Sequence, residues 1–115
     1  MIFVTRITYG NYGGRYYFEA SGHAISEDFQ FYGEEKESGV CAAVSMLVLS
    51  AAELLSDMRS SGEIFNASIE VESGYACFDL SVNGDADEKI DGIFAVLMSG
   101  FLQLEENYPE LVSCE

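Results

Sequence analysis

Residues 2–9, IFVTRITY, alternate apolar and polar side chains closely enough to predict a strand, and YGNYGG at 9–14 carries turn glycines. A second strand is expected over 15–22, RYYFEASG, with Tyr16, Phe18 and Ala20 on one face and Tyr17, Glu19 and Ser21 on the other. The period then changes. Between Val40 and Met58 the apolar residues Val40, Val44, Leu47, Ala51, Leu54 and Met58 recur at spacings of three and four, the stripe of an amphipathic helix. Ser38 is its expected N-cap, followed by Gly39 at N1, Val40 at N2 and Cys41 at N3, and SSG at 60–62 ends it. Residues 66–72 and 75–83 return to period two around Ser73-Gly74 and predict a hairpin, with Ala76, Phe78, Leu80 and Val82 facing inward. NGDADE at 83–88 turns into a second helix over 87–106, with Asp85 or Asp87 near its start. Its stripe is Ile90, Phe94, Leu97, Phe101 and Leu104, and Pro109 rules out any helical continuation beyond it.

The element order is therefore ββαββα, which predicts an α/β (α+β) fold: a small sheet of about four strands packed with two helices, in one domain spanning 1–115. His23 to Ser38 shows no dependable period and is expected to be an exposed connection. Loops of that length in compact domains are usually functional or disordered.

Composition narrows the function classes. Twenty acidic residues face five basic ones, net −15, so phosphates find no basic footprint and direct nucleic-acid binding is not expected. The same field favours a basic partner or substrate. No uninterrupted apolar run reaches the length of a membrane span, and the first residues do not read as a signal peptide, so the expected compartment is the cytoplasm. Cysteines 41, 77 and 114 form no CxxC pair; neither a disulfide framework nor a zinc site is expected, and no cofactor is called for.

Cys41 and His23 carry the candidate chemistry. A free cysteine is ordinarily core filler. At N3, however, Cys41 would sit beside unpaired helix amides, whose partial positive charge favours a thiolate. His23 is the sole histidine, directly after a strand, with Gly22 before it to let the backbone turn. A Cys–His pair would make an activated nucleophile, with helix-start amides available to an oxyanion.

GHA at 22–24 followed by VCAAVS at 40–45, with YPE at 108–110, resembles the bacterial ribosomal-processing cysteine protease family. The resemblance implies a small cytoplasmic endopeptidase, usually homodimeric. Its relatives remove an N-terminal extension from a large-subunit ribosomal protein, with Cys41 as nucleophile and His23 as general base and then acid. The run KESGVCAAVS departs from the family's GxDIVCAAVS: Ser38 stands where relatives have aspartate, and Gly39 where they have isoleucine. Ser38 cannot hold a negative charge near an imidazolium, and Gly39 has no side chain to pack. Gly22, Ser38 and Gly39 are thus the supporting candidates, while Glu34, Glu35 and Glu37 read as solvent-facing rather than as substitutes for the lost carboxylate. The rival expectation is an acidic, non-catalytic module that binds a basic or ribosomal protein without cutting it.

Overall fold

A computed structural model describes residues 5–12, 14–22 and 35–114. Strands β1 (Thr5–Tyr12) and β2 (Arg15–Ser21) form an antiparallel pair. The strand expected to end at residue 9 continues to Tyr12, which pairs with Arg15; the turn is only two residues, and Gly14 takes φ 85° there. Helix α1 (Glu35–Ser61) comes next, then the hairpin β3 (Ile64–Glu72) and β4 (Tyr75–Val82), a short 3₁₀ turn over Gly84–Ala86, helix α2 (Asp87–Asn107) and β5 (Val112–Cys114). The expected strand–strand–helix–strand–strand–helix order is observed, with β5 added after it.

The sheet order is β3-β4-β2-β1-β5. Neighbours are antiparallel except β5, which runs parallel to β1. Consequently β2 and β3 point the same way with β4 between them, and α1 crosses back from the end of one to the start of the other. Helix α2 makes the equivalent crossing from β4 to β5.

Tyr16, Phe18 and Ala20 of β2 and Ala76, Phe78 and Leu80 of β4 are fully buried beneath the helices. Phe18 stacks on Phe78 at 5.3 Å and tilts against Phe101 of α2 at 5.9 Å. The alternate residues face the side of the sheet away from both helices, where Arg15 bridges Asp79. Helix α2 buries Ile90, Phe94, Leu97 and Phe101 as its period predicts.

Helix α1 departs from expectation at both its start and its face. The stretch Glu35-Lys36-Glu37 is made of good helix formers, two of them acids suited to a helix N-terminus, and it extends the helix upstream. Ser38 is therefore the fourth helical residue, not the cap. The buried face is Val40, Cys41, Val44, Ser45, Val48, Ala51, Leu55 and Met58, whereas Leu54 of the expected stripe is 50% exposed. The other end is as expected. Gly62, at φ 83°, donates to the Arg59 carbonyl while the Glu63 amide donates to Met58, the two bonds that close a helix through a left-handed residue. By length and mean hydropathy, 1.8, Gly39–Ser61 matches a membrane-crossing helix, but its buried face lies in the same core as the sheet.

Candidate active site

The chain leaves β2 through Gly22 at φ 138°, a conformation a side chain rarely adopts, and the Gly22 amide donates to the Gly74 carbonyl at 3.0 Å. The β3–β4 turn thus pins the exit that leads into position 23. Helix α1 returns to this end of the sheet. Twenty helical residues separate Cys41 from Ser61, roughly 30 Å of axis, and the strand from Ile64 to Glu72 spans about 26 Å. Cys41 is level with the end of the sheet where β2 finishes. Helical side chains lean towards the N-terminus, so its thiol lies over the turn that contains Ser38.

His23, with Glu34, lies outside the described residues. Ser38 and Gly39 are helical, Gly39 exposed with open space around its α-carbon. Cys41, expected at N3, is the seventh residue of α1 and only 1% exposed. Its amide belongs to the internal ladder, so the unpaired first-turn donors lie upstream of it. The expectation that these amides flank the nucleophile fails because the helix begins earlier.

Burial and charge distinguish the other two thiols. Cys77 sits on the sheet face away from the helices, directly across from Glu19 on β2 and Glu70 on β3. Burial, and secondarily those carboxylates, push its thiol up against the opposing hydrogen bonds from Tyr75 and Tyr17. Cys114 is pushed up to about 11 by burial and by Glu105. Both are held as thiols at neutral pH and are poor nucleophiles.

Ser45 was not singled out by sequence. It is fully buried, the one buried polar or charged residue among those described, and it does not lack a partner. It lies one helical turn beyond Cys41 on the same face. That spacing of four within VCAAVS, a hydroxyl following a thiol into the core, was the available signal. Among the described residues no three His, Cys, Asp or Glu side chains gather as a metal site requires.

No curated protein matches the chain. Its fold is similar to that of SMU.848 from Streptococcus mutans, with 21% identity and a TM-score of 0.65 over 100% of this chain and 96% of the other. It is also similar to the essential ribosomal processing protease Prp from S. aureus in complex with a substrate peptide, with 17% identity and a TM-score of 0.64 over 99% and 98% of the two chains. The sequence itself matches the model of one family, cysteine protease Prp, over residues 1–113. A match that runs through both GHA and VCAAVS extends far beyond a shared fold: the chain belongs to the cysteine protease Prp family and is a cysteine endopeptidase.

Proposed function

We propose that Cys41 and His23 form the catalytic dyad. The observation that carries this reading is the family match across the whole helix-bearing core, with Cys41 at the sheet end towards which Gly22 directs the chain. His23 takes the Cys41 proton and the thiolate sulfur attacks the scissile carbonyl. The C–N bond then breaks as His23 returns the proton to the departing amine, leaving a thioester. Water, deprotonated by the same imidazole, hydrolyses the thioester and restores the thiol. Gly22 sets the backbone path into His23, and Ser38 and Gly39 shape the turn over which the Cys41 thiol leans.

The substrate in this reading is the precursor of a large-subunit ribosomal protein, cut to remove its N-terminal extension. A net charge of −15 suits such a basic chain. The enzyme acts in the cytoplasm as a homodimer of single-domain chains, without cofactor, membrane or direct nucleic-acid contact. Incubating purified protein with the extended precursor tests the assignment: wild type cleaves it, while Cys41→Ala and His23→Ala do not. Equal cleavage by wild type and Cys41→Ala would overturn it.

One observation favours the rival, a binding module that holds a basic protein uncut. A peptide carbonyl cannot reach a sulfur that is 1% exposed unless the chain around it shifts. Precursor that is retained intact on wild type and on Cys41→Ala alike would decide for that reading.

A further inference from the structure

The outer side of the helix layer carries a cleft of about 530 Å³ between α1 and α2. Leu47, Leu54, Ile93 and Leu97 are among its lining residues, and so are Met46 and Val96, which stand 57% and 69% exposed. Its one charged lining residue, Lys89, is bridged to Glu63 at 3.2 Å. What sets this face apart is its charge. Residues 39–52 and 92–104 contain no Asp, Glu, Lys, Arg or His, in a chain of net −15. A basic partner would be drawn to the acidic surface elsewhere and has no use for an acid-free one. A second copy of the same chain has the opposite need. Two molecules of −15 repel wherever acids oppose acids, and across this acid-free face they meet at low cost.

We infer that this α1–α2 face is where a second copy docks, two-fold related, with Val96 and Met46 of each chain entering the cleft of the other. The inference rests on the homodimer reading above for the existence of the second copy and adds its location. A two-fold contact must be self-complementary, and here the apolar knobs and the cleft that would receive them lie on one patch. The acid-free stretches, 14 residues of α1 and 13 of α2, each extend about 20 Å. Two helices side by side, each about 10 Å across, give a footprint of roughly 400 Å², an interface smaller than the ~800 Å² per partner of the standard size.

The test is sedimentation velocity on the full chain, wild type and Val96→Glu, over a concentration series at low and moderate salt. Wild type is expected to dimerise, and more tightly as salt rises, because screening relieves repulsion between the two acidic bodies. Val96→Glu is expected to weaken dimerisation by roughly 30-fold or more, as for a central interface residue, with an unchanged circular dichroism spectrum. Met46→Glu should do the same from the other helix. Glu70→Gln, on the sheet face away from the helices, should remain dimeric. A wild type that is monomeric throughout overturns both the homodimer reading and this surface. A Val96→Glu and Met46→Glu pair that still dimerises overturns the surface alone, as does a Glu70→Gln that falls apart. Precursor cleavage is a separate readout, so the dyad stands or falls independently.

Discussion

The Tyr16 hydroxyl stands 2.8 Å from Asp87 and 2.6 Å from Asp91, one turn apart at the start of α2, while its ring stacks on Phe94 at 5.5 Å. One hydrogen serves two carboxylates, so Tyr16→Phe removes that hydrogen and keeps the ring. Hydrogen bonds to charged groups contribute about 1.5–3 kcal/mol. Asp87 is half-buried and Asp91 exposed, so both regain water when the donor is lost, and the expected cost at pH 7.5 is near the lower limit, about 1.5 kcal/mol. The alkaline limb supplies the sharper test. Burial first, then the bonds to Asp91 and Asp87, hold the Tyr16 proton well above the ordinary tyrosine range. An unfolded tyrosine ionises near pH 10. The folded pKa is the raised one, so this contribution to stability is complete below pH 10 and is lost as pH rises beyond it. At pH 11 the wild type has given up about 1.4 kcal/mol through this group, and Tyr16→Phe nothing. Urea unfolding monitored by circular dichroism in reductant should therefore show a gap of about 1.5 kcal/mol at pH 7.5 that all but closes at pH 11. Tyr17 and Tyr75, also raised, are common to both chains and cancel. A gap that stays constant across this range would refute the reasoning. Peptidase activity at neutral pH should not change, since Tyr16 lies near the start of β2, at the far end of the sheet from Cys41.

Thiol reactivity and helix glycines give two further expected outcomes. In a Cys41→Ala chain at pH 7.5, Cys114 should be alkylated by iodoacetamide about 100-fold more slowly folded than unfolded, with a rate that climbs as pH rises towards about 11. Peptide mapping reads this, and equal rates in the two states would refute it. Gly39→Ala should raise stability by about 0.5–1 kcal/mol, because a methyl there meets nothing within 4 Å inside a helix. Gly100→Ala should fall short of that gain, because its methyl would sit 2.8 Å from the Leu47 side chain; equal thermal shifts for the two would contradict this packing.

The strands and helices that bury one face were legible because period two and period 3.6 impose themselves on side-chain choice. Tyr16, Phe18 and Ala20, and Ile90 through Phe101, needed nothing more. The face of α1 was misread because the segment is apolar almost all round: with Leu47, Val48, Leu54 and Leu55 all available, only packing decides that Val48 and Leu55 go inward. Its start was misplaced because Ser38 is a good cap only when the residues before it are poor helix formers, and Glu35-Lys36-Glu37 are not. That single error moved Cys41 out of the first turn and removed the amide-based reason for its reactivity. The three residues of β5 are too few to carry a period and are held by β1 from outside their own sequence. Gly22 was legible as a turn residue; that Gly74 anchors it was not, because a backbone bond between separate turns leaves no trace in side-chain pattern.

The parallel pairing of Val112–Cys114 with Thr5–Ile7 has a consequence for biogenesis. Every other strand finds its neighbour before α2 is made, but the outer edge of β1 must wait until residues 112–114 have been synthesised. Until residues 112–114 have left the ribosome that edge stays open, offering unpaired amides and carbonyls to any extended segment nearby. The last contact of the sheet is also among its most distant in sequence, so the rate of sheet completion is governed by how quickly two remote segments find each other.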